Sequence, residues 1–465
     1  MNFIKAFGLS FTALFLFQSE CFSLSVTTNS NFKALATEKV LVVEVQERED
    51  NKYSQKYSQL AEDEQIERAN LLNKMALRYL SQGRYNEAES LLLKSLELYK
   101  QLLGEEHPNV ATSLNNLAEI YRVQGRYSEA EPLYLKALEL NKQLLGEEHI
   151  NVAHGLNNLA LIYKSQGRYS EAEPLHLKAL ELYKQLLGEE HINVAHGLNN
   201  LASLYQIQGR YSEAEPLYLQ SLELYKQLLG EEHLNVATSL NNLAVFYKDQ
   251  GRYSEAESLF LQALVLRKKL LEENHPKVAT SLNNLASLYQ IQGRYSEAEP
   301  LYLQSLEIYK QLLGEEHPLV ATSLNNLAGL YQYQGKYSEA EPFLIKALEL
   351  NKKLLGEEHP KIAISLNNLA SLYQDQGRYS EAEPLYLQSL ELDKKLLGEE
   401  HPSVATSLNN LASLYQAQRR YSDAKPLYEK ALKIAEAKLG TDHPDTNRIR
   451  KKFQENLEAM NKQRQ

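Results

Sequence analysis

A glycine recurs every 42 residues along most of this chain, and no other feature limits its possible folds so tightly. The series runs Gly83, Gly125, Gly167, Gly209, Gly251, Gly293, Gly335 and Gly377, with Arg419 in the ninth place. A histidine keeps the same step at His107, His149, His191, His233, His275, His317, His359, His401 and His443. A length of 465 residues would otherwise suggest two or three independent cores. Self-similarity at a fixed step, without insertions, instead makes the chain an array of nine repeats.

One unit shows why each repeat should be a pair of helices. Val110, Leu114, Leu117, Ala118 and Tyr121 share one face at helical spacing. After a break at Gln124-Gly125-Arg126 the pattern resumes with Ala130, Leu133, Tyr134, Ala137, Leu138, Leu144 and Leu145. These stripes predict helices A and B. Gly125 suits the left-handed backbone that ends helix A, and Ser128 with Glu131 has capping-box spacing at the start of helix B. Pro132 is tolerated only in a first turn, and Gly146 stops helix B. A histidine at every junction reads as a cap or turn residue rather than a metal ligand. His149 and His154, like His191 and His196, are five apart and point away from each other on a helix. His176, standing where most units hold Tyr, reads as a packed histidine, and the repeated tyrosines at Tyr121 and Tyr127 as packing residues.

A lone hairpin cannot bury its stripes, so stability must come from stacking, and the ends need covers. The expected organisation is a signal peptide over 1–23, a linker of uncertain order over 24–60, nine repeats over 61–444 and a polar capping helix over 445–465. In that last segment Ile449, Phe453, Leu457 and Met460 form the apolar stripe.

Lys5, the apolar run Ala6 to Phe17, and small residues at Cys21 and Ser23 give the first 23 residues the composition of a secretory signal, cleaved near Ser23. About twelve apolar residues fall short of the roughly 20 that span a bilayer. Glu20 makes Cys21 a poor lipidation site, and without Cys21 the mature chain has no thiol for disulfide, nucleophile or zinc. The absence of an Asn-x-Ser/Thr site suits a bacterial protein at least as well as a eukaryotic one. The expected location is therefore exported, periplasmic or extracellular, and cytoplasmic or membrane-anchored if the segment is retained.

Leu114, Leu117, Ala118, Tyr121, Ala130, Tyr134 and Ala137 have the spacing of the tetratricopeptide signature. The 42-residue step and the phrases His-Pro-Asn-Val-Ala-Thr-Ser-Leu-Asn-Asn-Leu-Ala and Leu-Gly-Glu-Glu-His-Pro resemble the repeats of kinesin light chains and of bacterial, especially cyanobacterial, arrays of that type. The resemblance covers residues 60 to 445, more loosely in the first unit. It implies an all-α, right-handed superhelical solenoid of antiparallel hairpins whose A row lines a groove for extended peptides. A signal peptide and short linker stand where kinesin light chains carry a coiled coil, which argues against a motor-cargo role.

The most regular polar feature is an Asn pair in helix A: Asn115 and Asn116, Asn157 and Asn158, Asn199 and Asn200, Asn241 and Asn242, Asn283 and Asn284, Asn325 and Asn326, Asn367 and Asn368, Asn409 and Asn410. Asn disfavours helix interiors, so sixteen at fixed places need a reason. One is ligand contact, since each amide offers donor and acceptor to an extended backbone, and the resemblance implies the same. The other is that one Asn of each pair bonds the backbone of the adjacent repeat and braces the stack.

A turn further on, the row Glu119, Leu161, Ser203, Val245, Ser287, Gly329, Ser371 and Ser413 varies, as does Arg122, Lys164, Gln206, Lys248, Gln290, Gln332, Gln374 and Gln416. Arg122, Lys164 and Lys248 make the N-terminal half of the groove cationic, which predicts docking of an acidic segment.

The formal charge of −10 argues against nucleic acid. No phosphate-cradling loop, nucleophile elbow, acid–base pair or metal cluster is present, and near-identical units suit a modular surface better than one asymmetric catalytic site. The expectation is a non-enzymatic scaffold for protein or peptide partners, without cofactor or metal. The alternatives are a structural or self-associating solenoid and a cytosolic adaptor of kinesin-light-chain type.

Overall fold

A computed structural model describes residues 62–464. The segments expected to be a signal peptide, 1–23, and a linker, 24–60, both lie outside the described residues. Contacts divide the chain into Met1–Glu64 and Gln65–Gln465, and the repeats belong to the second unit.

The A helices are residues 62–81 (α1), Pro108–Val123 (α3), Ile150–Ser165 (α5), Ile192–Ile207 (α7), Leu234–Asp249 (α9), Pro276–Ile291 (α11), Pro318–Tyr333 (α13), Pro360–Asp375 (α15) and Pro402–Ala417 (α17). The B helices are Tyr85–Leu103 (α2), Tyr127–Leu145 (α4), Tyr169–Leu187 (α6), Tyr211–Leu229 (α8), Tyr253–Leu270 (α10), Tyr295–Leu313 (α12), Tyr337–Leu355 (α14), Tyr379–Leu397 (α16) and Tyr421–Leu439 (α18), followed by Pro444–Arg464 (α19). Each B helix packs on its own A helix and on the next. Successive A helices also touch, as α11, α13, α15 and α17 do, with no comparable contact between successive B helices. The A row therefore lies on the inside of the curve.

The stripes read from the sequence are the core. Leu114, Leu117, Ala118, Ala130, Tyr134 and Ala137 are each no more than 3 % exposed. Ala118 and Ala130 have no accessible surface, so larger side chains there would push the helices apart. Gly125 ends α3 at φ +71°, in the left-handed region favoured by glycine. Arg419 holds the same conformation, φ +60°, without that freedom.

Each landmark histidine from His107 to His401 is an N-cap whose side chain accepts a backbone N–H two residues on, as His107 Nδ1 does from Asn109 at 3.1 Å. His443 Nδ1 accepts from the Asp445 N–H in the same way. The expected capping box does not form. Helix α4 begins at Tyr127 with no side-chain cap, so Ser128 is already helical. Glu131 instead accepts from Arg168 of the next unit at 2.8 Å and from Gln166 at 3.1 Å. Because the helix starts at Tyr127, Pro132 falls in its second turn rather than its first.

That arginine is the recurring joint between units. Arg168 stacks 3.9 Å over Tyr163, pairs with Glu171 on its own helix and reaches back to Glu131. Arg126, Arg210, Arg252, Arg294 and Arg378 repeat the arrangement. Lys336 in the seventh unit does not, and leaves Gln334 Oε1 buried without a partner.

The solenoid coils tightly enough for one turn to rest on the next. A side chain added at Gly83 would meet Pro318 and His317, one at Gly125 would meet Pro360 and His359, and one at Gly167 would meet His401 and Pro402. Each contact joins the end of one A helix to the start of the A helix six units on. His359 Nδ1 is committed to the Lys361 N–H, which places the proton on Nε2 and lets it donate to the Val123 carbonyl at 3.1 Å, 236 residues away. The rings of His401 and His443 lie against Gly167 and Gly209 in the same way.

Candidate functional site

The paired asparagines sit on the concave A row, and the structure gives each member a different task. The second Asn of a pair donates Nδ2 to Oδ1 of the first Asn one unit earlier. The bonds run Asn116 to Asn73, Asn158 to Asn115, Asn200 to Asn157, Asn242 to Asn199, Asn284 to Asn241, Asn326 to Asn283 and Asn410 to Asn367, at 2.9 to 3.1 Å. The brace joins side chain to side chain, not side chain to backbone as the sequence suggested. Each bond uses one donor and one acceptor. What remains in most units is the Nδ2 of the first Asn and the Oδ1 of the second, half-buried on the inner face. In the last pair Asn409 Nδ2 turns to Asn410 Oδ1 instead.

The ladder has one gap. Asn368 does not reach Asn325, whose Nδ2 turns to the Ala321 carbonyl at 3.2 Å and whose Oδ1 is buried without a partner. A cavity of about 520 Å³ opens there, lined by Asn325, Gly329, Gln332, Tyr333, Leu344, Asn368, Ser371 and Asp375.

The three groove cations differ in availability. Arg122 gives two hydrogen bonds, 2.8 and 2.6 Å, to Glu119 on its own helix, so its charge is locally matched. Lys164 donates to Ser203 at 2.7 Å, and burial with Arg122 nearby pushes its ammonium down to about 8. Lys248 is half-buried. His176 is packed as expected, 1 % exposed, with Nδ1 at 3.0 Å from Asn157 Oδ1, and burial pushes it down to about 4.

A second cavity, about 320 Å³, is lined by His154, Asn157, Tyr183, Asn193, His196, Gly197, Asn199 and Asn200. His154 and His196 stand where most other units carry Thr, each ring 5.5 Å from a tyrosine, Tyr183 and Tyr225. Among the described residues no three metal-ligating side chains converge.

One groove-floor position escaped the sequence reading because it belongs to helix B. It holds Tyr99, Tyr183, Tyr225, Arg267, Tyr309, Asn351 and Asp393 in different units. Arg267 is 4 % exposed and donates to Ser281 at 2.8 Å, with Nε left without a partner. Asp393 is 5 % exposed and accepts only from Ser407 at 2.7 Å, and burial pushes its carboxyl up to about 6. The signal was one position changing between aromatic, cation, amide and anion at a constant 42-residue step.

Asp393 carries a testable cost. Its pKa in the fold lies above that of an unfolded Asp, so the folded state is favoured below the unfolded value and that advantage is lost as pH rises through about 6. Asp393→Asn, which copies the Asn351 to Ser365 bond one unit earlier, should raise stability at pH 8 by about 1–2 kcal/mol. The gain should vanish near pH 4, measured by thermal unfolding at the two pH values.

Stacked two-helix units with a polar ladder along their inner row define a helical-repeat scaffold of the kind that binds other proteins. The chain belongs to the tetratricopeptide-repeat family, which matches it in nine overlapping windows from residues 67–143 to residues 403–452. The family is one of non-catalytic scaffolds. No curated protein matches the chain. Among solved structures it is similar to a kinesin-light-chain protein of Podosopora anserina with nearly identical TPR-like repeats, at 34 % identity over 44 % of this chain and 98 % of that one, TM-score 0.37. It is also similar to BtubC (BKLC) from P. vanneervenii, at 24 % identity over 55 % and 93 %, TM-score 0.40. A Rap protein complexed with Competence and Sporulation Factor matches at 15 % identity over 78 % and 99 %, TM-score 0.47. Among the described residues no helix is long and apolar enough to cross a membrane.

Proposed function

We propose that this protein binds extended peptide segments of partner proteins in the Asn-lined concave groove, as an exported scaffold. The observation that carries this reading is what the ladder leaves over. Each intact rung spends one donor and one acceptor on bracing and leaves the opposite pair, one N–H donor and one carbonyl acceptor, on the inner face. An extended backbone presents the complementary pair at each peptide unit. In the N-terminal half Lys164 and Lys248 favour an acidic segment, with Arg122 contributing once its bond to Glu119 opens. Affinity should then fall as salt rises, and again as pH rises through about 8 where Lys164 loses its charge.

Asparagine-to-alanine changes would remove the brace with the ligand groups. Asn115→Asp, Asn157→Asp and Asn199→Asp keep the oxygen that accepts the brace and replace the free Nδ2 donor by an anion. The triple variant should unfold within a few degrees of wild type and bind acidic dodecapeptides, selected on wild type from a displayed random library, at least about tenfold more weakly. Unchanged binding would move the function off the groove, to the convex face or to self-association.

A further inference from the structure

The seventh unit departs from its neighbours at two facing places, and both departures remove volume. Gly329 stands where the adjacent units have Ser287 and Ser371, and a side chain added there would meet nothing nearer than Gln290 Nε2 at 3.7 Å. Leu344 stands where the adjacent units have Tyr302 and Tyr386. Those tyrosines donate to the carbonyl oxygens of Gln290 and Gln374, at 2.9 and 3.1 Å. The corresponding Gln332 has lost its phenol donor. Its Nε2 is committed twice, to Ser371 at 3.2 Å and Asp375 at 2.7 Å, which leaves Oε1 as an acceptor.

The other walls have the same polarity. Asn325 Oδ1 is buried and unpaired at the gap in the ladder, and an unpaired buried acceptor is costly unless something donates to it. The exposed Asp375 carboxylate and the Tyr333 ring, 70 % exposed, complete the lining. Two amide oxygens, a carboxylate and an aromatic face therefore surround about 520 Å³. A donor-rich cation satisfies all four, through charge-assisted hydrogen bonds to the oxygens and a cation–π contact with the ring.

We propose that this cavity is a specificity subsite that takes one basic side chain, lysine or arginine, of the extended segment in the groove. The proposal rests on the groove reading above and adds a second determinant: acidic residues toward the N-terminal units and a basic residue at the seventh.

The test uses the full chain and a displayed library of random dodecapeptides, counter-selected on a Gly329→Ser, Leu344→Tyr variant. Both replacements copy the adjacent units, so the variant fills the cavity with residues the stack already accommodates. Counter-selected peptides should carry a fixed Lys or Arg. For a synthetic winner, replacing that residue by norleucine should cost about tenfold in affinity, as should the filled variant or Asp375→Asn. Matched Lys and Arg peptides then show which cation is preferred. Binding that is lost in the triple Asn→Asp variant but keeps full affinity for the filled variant, or winners without a basic residue, would overturn the subsite and leave the groove standing. A library that yields no groove binder at all would overturn both.

Discussion

Lowering the pH from 7 to about 4.5 should separate the turns of the superhelix before the hairpins melt. His317, His359 and His401 are each pushed down to about 4 by burial, with Lys361 near the first two and Lys438 near the third acting in the same direction. Their folded pKa values lie below the ~6.5 of an unfolded histidine, so the unfolded chain binds more protons in between. Their contribution is complete above pH 6.5 and is lost as pH falls toward 4, up to about 3 kcal/mol for each ring. Protonation also puts a hydrogen on Nδ1, which removes the acceptor used by the Leu319, Lys361 and Ser403 N–H groups. Small-angle scattering should show a longer particle at pH 4.5 than at pH 7. A His317→Asn, His359→Asn, His401→Asn, His443→Asn chain keeps N-cap acceptors that do not titrate at all four contacts between turns, so its dimensions should be the same at both values. His176→Tyr in both chains removes the other strongly shifted histidine. A wild-type particle of constant length would rule the mechanism out.

Gly125→Ala should be far more disruptive than Gly251→Ala, although both glycines end an A helix at nearly the same φ, +71° and +75°. Each change costs roughly 1 kcal/mol for forcing a side chain into left-handed backbone. At Gly251 the new methyl would meet nothing within 4 Å. At Gly125 it would lie 2.5 Å from Pro360 Cδ, so the turns must move apart or a tight contact must be absorbed at about 1–3 kcal/mol more. Thermal unfolding should show the larger loss for Gly125→Ala, and scattering an increased maximum dimension for that variant alone. Equal losses and equal dimensions would mean that the contact between turns does not hold the coil.

Most of the fold was legible residue by residue, because most of it is local. The 3.6-residue stripes, the left-handed glycines and the junction histidines act within a few residues of themselves, and the structure finds them in those roles. The site was legible in part. The Asn pairs were visible as a ladder, but not which oxygen and which nitrogen the stack consumes. Ser128 and Glu131 had the right spacing for a local cap, yet Glu131 is taken by Arg168 because stacking brings the next unit's guanidinium beside it. The helix B position of Arg267 and Asp393 could be found only once the packing placed it on the groove floor.

By itself the sequence determined the hairpin, its period and its order, since each depends on contacts between residues close in the chain. The tertiary structure alone decided the rest. The letters Asn325 and Asn368 match those of every other pair, yet the rung between them is open where Gly329 and Leu344 leave space. His107 and His359 are the same N-cap, yet only His359 also holds Val123. Whether one turn meets another depends on a small rotation at each interface, summed over six interfaces. Each rotation is set by many weak packing contacts, and no single residue spells it.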